Sequence, residues 1–369
     1  MSSQPSSILI VRLSALGDVI NTLPVLDALK AAWPDVRISW IVEPASAPII
    51  QAQTQVDRTF ILDRKKLQKS LVRPGQWWQL SNDIRHLTGE LQDAAFDVAL
   101  DMQGNFRSGL ITRLSRAEKR VGFHAQDRKE KDLGFTNLQA LPLSGACHRA
   151  DKALHLLTAL GIESDTASAS MPVSPDAEAK VNAFLFDNGL NGKRLIAIHP
   201  GTSSFGAYKR WTDEGFRELC SRLCQDNDTA VVFTWNGKEK DSAVKLAESL
   251  HPNVLLCFET SLMELAALCR RADLFIGADT GPGHLASLVG CPVVSIFGPK
   301  DPYIYRPYFS PCWVVQRDLW CRPCFSRACS APICLTGIPV EQVYEAAMGL
   351  LSGAKPPTLL RVMDNPLLL

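Results

Sequence analysis

Short, almost unbroken apolar runs alternate along the chain with longer segments in which apolar residues recur every three or four positions. That alternation predicts parallel strands buried on both faces, with helices packed over them. Ser7 to Leu13 reads as the first buried strand. The turn Ser14-Ala15-Leu16-Gly17-Asp18 then leads into a helix from about Val19 to Trp33, closed by Pro34. Further strands are expected at Arg37 to Val42, Thr59 to Leu62, Asp97 to Asp101 and Arg120 to Phe123. The Pro/Ser-rich join Met171-Pro172-Val173-Ser174-Pro175 reads as a hinge. A second series follows, with strands at Arg194 to Ile198, Ala230 to Trp235, Val254 to Cys257, Leu274 to Ala278 and Val293 to Phe297. Helices are expected near Asp213 to Cys224, Glu239 to Leu250, Ser261 to Arg270 and His284 to Val289. The expected fold class is α/β: two Rossmann-like doubly wound domains facing across a cleft, residues 1–172 and 173–354, with a tail over 355–369.

A chain of 369 residues exceeds what one hydrophobic core usually organises, which agrees with two domains. With 46% hydrophobic and 21% charged residues it has the make-up of a soluble globular enzyme, and a net charge of +1 gives no global drive toward nucleic acid. The charge is uneven, however. Arg58, Arg64, Lys65, Lys66, Lys69 and Arg73 face a single acid, Asp63, and a second basic stretch runs from Arg107 to Lys131. Each is either a solvated helix face or a surface for an anionic partner. The start of the chain has no cationic n-region, and Arg12 interrupts the apolar run that begins at Ile8, so no signal peptide is expected. No run reaches the ~18 apolar residues of a membrane helix. The eleven cysteines, mostly in apolar contexts, suit a reducing compartment, and the expected location is cytoplasmic, peripheral at most.

Three strand-to-helix turns concentrate chemistry. In the first, Asp18 is either the N-cap of the next helix or a general base on a rigid turn. The second, His199-Pro200-Gly201-Thr202-Ser203-Ser204 with Lys209-Arg210-Trp211-Thr212, offers small residues, hydroxyls and cations suited to a phosphate. His199 itself reads as packing at a strand end. The third, Gly277-Ala278-Asp279-Thr280-Gly281-Pro282-Gly283-His284, places N–H groups and a helix start where a diphosphate would sit. Gly281 to Ala286 also spells G-x-G-x-x-A, the loose dinucleotide fingerprint, at what reads as the last βαβ unit of its domain.

The segment Ile10 to Pro24, the block Asp279-Thr280-Gly281-Pro282-Gly283-His284-Leu285 and Phe297-Gly298-Pro299 together resemble glycosyltransferase family 9, the ADP-heptose:lipopolysaccharide heptosyltransferases, over Ser7 to about Leu351. Asp101-Met102-Gln103-Gly104-Asn105 and Arg120-Val121-Gly122-Phe123 resemble the subtype that adds the first heptose to the Kdo region. The resemblance implies an inverting GT-B enzyme, with the acceptor on the first domain and ADP-heptose on the second. It implies Asp18 as the base and Lys209 with Thr202 or Ser203 as phosphate contacts. Asp279, Thr280, Gly281, Gly283 and His284 form its donor loop, with Glu239 near the nucleoside. Ser14, Arg64, Lys65, Gln103, Arg107 and Arg120 would meet a Kdo-lipid A type anionic acceptor at the inner-membrane surface. No cofactor is required; without a D-x-D element beside the donor loop Mg²⁺ is not needed, nor is it barred.

The cluster Cys321-x2-Cys324-x4-Cys329-x4-Cys334, with Cys312 upstream, admits a thiolate zinc or iron–sulfur site, a labile disulfide or reduced thiols. It lacks a second C-x-x-C, which favours reduced thiols. Two rival functions stand beside transfer. One is a nicotinamide oxidoreductase using Gly281 to Ala286 with Asp301 on the ribose; the other is a non-catalytic nucleotide-sugar binding protein.

Overall fold

The computed structural model describes residues 4–72, 77–164, 167–248, 250–324 and 326–358. Arg73 of the first basic run lies outside them. The chain divides into two compact units, Met1–Ala169 and Ser170–Leu369. Unit 1 holds a parallel sheet of β1 (Ser7–Val11), β2 (Arg37–Val42), β3 (Arg58–Ile61), β4 (Val98–Asp101), β5 (Lys119–Gly122) and β6 (Leu138–Gln139), in the order β3-β2-β1-β4-β5-β6. Unit 2 repeats that plan with β7 (Arg194–His199), β8 (Thr229–Phe233), β9 (Val254–Leu256), β10 (Leu274–Ala278), β11 (Val293–Phe297) and β12 (Cys312–Gln316), in the order β12-β11-β10-β7-β8-β9. In both, the chain moves outward from the first strand and then returns to that strand's other side. The order therefore reverses between β1 and β4, and again between β7 and β10, and the loops beyond those strand ends are where such sheets bind ligands.

The central strands are buried throughout because helices cover both faces: all five residues of β1, β10 and β11 are buried, only Ser7 and Ser295 among them being polar. The core of unit 2 runs from Ile196, Ile198, Val231 and Phe233 to Val343, Ala346 and Ala347 of the helix Val340–Leu351. Trp211 is buried there, edge-on to Phe216 with ring centroids 5.0 Å apart. A Cβ on Gly215 would lie 2.6 Å from the Trp211 ring, so glycine is what lets the indole seat directly after Lys209 and Arg210. That seat anchors the end of the second chemical turn.

Several elements differ from expectation. The single helix over Val19 to Trp33 is two, Leu16–Ile20 and Pro24–Ala32. Pro24 has no N–H for the carbonyl of Ile20 and its ring would clash with it, whereas the start of a new helix accommodates it. The helix expected from His284 begins at Gly281 with Thr280 as N-cap. Ser174 and Pro175, read as part of a hinge, open the helix Pro175–Asp187, with Ser174 Oγ accepting from Ala177 N at 3.3 Å. Strand β12 lies where the sequence drew attention to cysteines. It and β11 follow β10, so the G-x-G-x-x-A segment sits on the fourth strand of six and not in the last unit.

Candidate active site

In unit 1 the register pairs Val11 with Asp101, so Arg12 and Met102 leave β1 and β4 side by side. Arg12 is buried; its Nη2 lies 2.9 Å from Asp18 Oδ2, and its Nη1 donates to the carbonyl of Met102. Burial pulls the guanidinium below its ordinary pKa, while Asp18 pulls it back up. Asp18 is not a cap: the N-cap of Leu16–Ile20 is Ala15, with no side-chain bond, and Asp18 is the third residue of the helix. Its carboxylate is 24% exposed, against 6% for the Arg12 side chain, and Lys129 Nζ approaches it at 3.9 Å. Arg149 and Lys152, from the helix Arg149–His155, line the same pocket with Gln103 and Phe123. Burial depresses the pKa of Lys129 and Lys152, opposed for Lys129 by Asp18 and reinforced for both by Arg149. Beneath them Asp101 Oδ1 accepts from Gln103 N and Gly104 N at 3.0 and 2.9 Å, and Gln103 Oε1 accepts from Leu13 N at 3.0 Å. These bonds tie the two loops of the switch point together.

The acceptor residues expected from the sequence divide. Ser14 and Gln103 belong to this loop pair, Ser14 half-buried in its turn. Arg64 pairs with Glu43 at 3.1 Å, Lys65 is exposed on the helix Arg64–Val72, and Arg107 is exposed on Phe106–Leu114. Arg120 does not present its guanidinium to the pocket; Nε and Nη1 donate to the carbonyls of Phe135 and Ala117 at 3.0 and 2.8 Å. Arg12, Lys129, Arg149 and Lys152 were not singled out from sequence. Two of them carried a signal: Arg12, as a charge interrupting a buried strand just before the first turn, and Lys129, as a member of the basic stretch Arg107 to Lys131.

In unit 2, Lys209 ends a 3₁₀ turn, Ser204–Lys209, and its Nζ lies 2.5 Å from Asp279 Oδ2 and 3.1 Å from the Asp279 carbonyl. These residues, 70 apart in sequence, meet at the switch point between β7 and β10. Asp279 is buried, which alone would raise its pKa, but the His284 ring beside it and the charge of Lys209 hold it below the ordinary carboxylate value. His284 Nε2 is 3.8 Å from Asp279 Oδ1, and its buried Nδ1 has no hydrogen-bond partner among the described residues. Thr280 caps the eight-residue helix Gly281–Leu288, whose start includes Pro282 and Gly283. Thr202 is half-buried and Ser203 exposed in the cradle loop; Arg210, expected to add charge there, pairs with Asp213 at 2.6 Å. Lys300, after Phe297-Gly298-Pro299, is held below its ordinary pKa by burial and by the charge of Lys209.

Glu239 forms a neighbouring group. Its Oε2 accepts from Asn236 N at 3.0 Å and lies 3.5 Å from His199 Nε2, and burial raises its pKa. His199 is buried at the end of β7, its Nδ1 3.0 Å from Thr234 Oγ1, and burial pushes it down to about 4. At neutral pH it is uncharged, so its closeness to Glu239 is a polar contact and not an ion pair. The fingerprint Gly281 to Ala286 follows the fourth strand, whereas dinucleotide sites use the first. Asp301, its required ribose partner, accepts from Tyr303 N at 2.9 Å as the cap of Pro302–Tyr305. The eleven cysteines are free thiols, and among the described residues no group of three or more His, Cys, Asp or Glu could hold a metal. No described helix is long and apolar enough to cross a membrane.

Two parallel-sheet α/β units, each with its polar groups at a switch point, define the GT-B class of glycosyltransferases. Residues 84–334 match the family described as glycosyltransferase family 9 (heptosyltransferase), and the chain belongs to it. It is 27% identical over 327 residues to lipopolysaccharide heptosyltransferase 1 of Pseudomonas aeruginosa, covering 88% of this chain and 87% of that one. It is 25% identical to an Escherichia coli lipopolysaccharide heptosyltransferase 3, over 79% of this chain and 83% of that one. Among solved structures, a glycosyltransferase family 9 protein of Veillonella parvula superposes with a TM-score of 0.79 at 21% identity, covering 95% and 98% of the two chains. E. coli ADP-heptose lps heptosyltransferase II gives 0.72 at 19% identity, over 94% and 99%. Both share the fold.

Proposed function

We propose that the chain transfers heptose from ADP-heptose, with inversion, to an acidic, lipid-linked acceptor of the Kdo-lipid A type. Unit 1 takes the acceptor and unit 2 the donor. One observation carries this reading: each switch point holds a partly exposed ion braced by a buried counter-ion, a carboxylate on Arg12 in unit 1 and an ammonium on Asp279 in unit 2. As the bond from the anomeric carbon to ADP breaks, negative charge grows on the diphosphate. Lys209, with the N–H groups at the start of Gly281–Leu288 and the nearby Lys300, stabilises it. Asp18 takes the proton of the acceptor hydroxyl as that oxygen attacks the opposite face of the sugar, and one displacement inverts the centre. Thr202, Ser203 and Glu239 complete the donor contacts. Lys129, Arg149 and Lys152 give the acceptor's carboxylates or phosphates their counter-charge, a better-placed set than the Arg107 to Arg120 run. The names of the relatives, lipopolysaccharide heptosyltransferases 1 and 3, support the donor and acceptor class.

Peripheral contact with the cytoplasmic membrane surface belongs to the same proposal. Lys65 is exposed on Arg64–Val72, and Trp77 and Trp78, at the start of Trp77–Asp93, are 71% and 66% exposed. Basic and indole side chains together favour an anionic lipid interface. The test of the central reading is incubation with ADP-heptose and Kdo-lipid A, following product by mass. Asp18→Asn is expected to lose roughly 10²-fold or more in turnover while still binding ADP. Normal turnover of that variant removes Asp18 from the mechanism.

A further inference from the structure

We infer that Arg12 is the positioning residue of the base, acting on the reaction only through Asp18. The inference rests on the reading of Asp18 as that base. The helix carrying Asp18 is five residues long, has no side-chain cap and is followed by the break at Pro24. So short a helix does not fix the direction of a side chain by itself. Arg12 does so from below. Its backbone continues β1, and its carbonyl accepts from Trp40 Nε1 at 3.1 Å. The planar fork of its guanidinium reaches Asp18 Oδ2 with one arm and the Met102 carbonyl, just beyond β4, with the other. The carboxylate is thereby held in register with both strands of the switch point. A buried guanidinium is costly unless satisfied, so the arrangement resists any rotation of Asp18 that breaks the pair. Lys129 cannot substitute, since its side chain is 44% exposed and stands 3.9 Å away.

The alternative is that Arg12 merely staples β1 to β4. A staple would affect the folding of unit 1 and acceptor binding together; a positioning residue lowers kcat alone. The experiment measures kcat and KM for ADP-heptose and Kdo-lipid A in Arg12→Gln, Arg12→Lys, Asp18→Asn and the double variant Arg12→Gln/Asp18→Asn, with ADP affinity by calorimetry. Arg12→Gln is expected to lose roughly 10²-fold in kcat, as small misplacements of a reacting group do, with both KM values and ADP affinity within about twofold. Arg12→Lys is expected to recover roughly tenfold, because one ammonium restores charge beside Asp18 without the second arm. In the Asp18→Asn background Arg12→Gln is expected to cost nothing more, since the two residues act as a unit. Losses that multiply, or KM values that rise in step with the fall in kcat, overturn the inference. If Arg12→Gln does not fold, Arg12→Lys decides alone: a lowered kcat at constant KM supports positioning, and an unchanged kcat refutes it. If Asp18→Asn turns over normally, the base reading itself has failed; if Asp18→Asn is inactive and Arg12→Gln is normal, only this inference has.

Discussion

At the gap between β1 and β4 a partly exposed carboxylate, Asp18, leans on a buried cation, whereas between β7 and β10 a partly exposed cation, Lys209, leans on a buried carboxylate. The strand orders are the same and the burial is mirrored: side-chain exposure is 24% for Asp18 over 6% for Arg12, and 20% for Lys209 over 9% for Asp279. In each pair the buried ion has a second neighbour: Arg12 donates to the Met102 carbonyl, and His284 Nε2 stands 3.8 Å from Asp279. On the proposed mechanism the partly exposed ion meets substrate and the buried one sets its direction. On that proposal one architecture serves opposite tasks by exchanging which charge faces outward, proton removal in unit 1 and stabilisation of a leaving diphosphate in unit 2.

The comparison breaks most visibly at Lys209. Removing one pre-placed donor to developing charge typically costs about 10²- to 10³-fold in turnover, so Lys209→Met is expected to lose that much in kcat/KM and to weaken ADP binding. Asp279→Asn tests the buried half. The amide keeps a hydrogen-bond acceptor for Lys209 without competing for its charge, so ADP is expected to bind at least as tightly while kcat falls roughly tenfold through looser placement. Calorimetry with ADP and steady-state rates separate the two outcomes. A parallel loss of ADP affinity in Asp279→Asn would mean that the carboxylate is no counter-ion but a direct ligand.

Acid should divide the units next. His199 sits neutral at the end of β7, pushed to about 4 by burial, whereas an exposed imidazole titrates near 6.5. The unfolded chain therefore binds the extra proton first on acidification. This contribution is fully retained above about pH 6.5 and is lost as pH falls toward 4, by on the order of 3 kcal/mol. Hydrogen exchange is the suitable readout, since two units need not unfold together. Between pH 7 and 5, protection of peptides from β7 and β8 is expected to fall, and His199→Asn to flatten that dependence. Equal acid sensitivity in β1 peptides and in His199→Asn would remove the imidazole as the cause.

How far these features were visible in the chain depends on their range. The buried strands were plain, because a strand covered on both faces must be apolar, and Asp18, Lys209 and the Asp279 loop stood out as polar groups at strand ends. The pairs were not visible. Lys209 meets Asp279 across 70 residues, and Arg149 and Lys152 reach the Asp18 pocket from a helix that follows the whole sheet of unit 1. Charge counting along the sequence pointed to the Arg107 to Lys131 run, of which Lys129 lines the Asp18 pocket whereas Arg120 satisfies two backbone carbonyls. A local excess of cations says nothing of which ones the backbone has already engaged. Arg12 was visible for another reason, as an interruption of an apolar run, and its value lies in the partner that the β1–β4 register gives it.

The smallest expected effect concerns Glu239 of unit 2, proposed to lie at the nucleoside. A Cβ on Gly201 would stand 2.7 Å from Glu239 Cδ and 3.0 and 3.1 Å from its oxygens. The backbone at Gly201 does not need a positive φ, so alanine is strained only by that carboxylate. Glu239 can yield by turning its far end, at the expense of its bond to Asn236 N, and a single such bond contributes about 0.5–1.5 kcal/mol. Gly201→Ala is therefore expected to melt close to the parent chain. If Glu239 hydrogen-bonds the ribose, the same displacement raises the donor KM by roughly three- to tenfold while kcat holds, because the lost contact is made equally in ground and transition states. An unchanged donor KM with the carboxylate displaced would take Glu239 out of the donor site and leave it as the cap of its own turn.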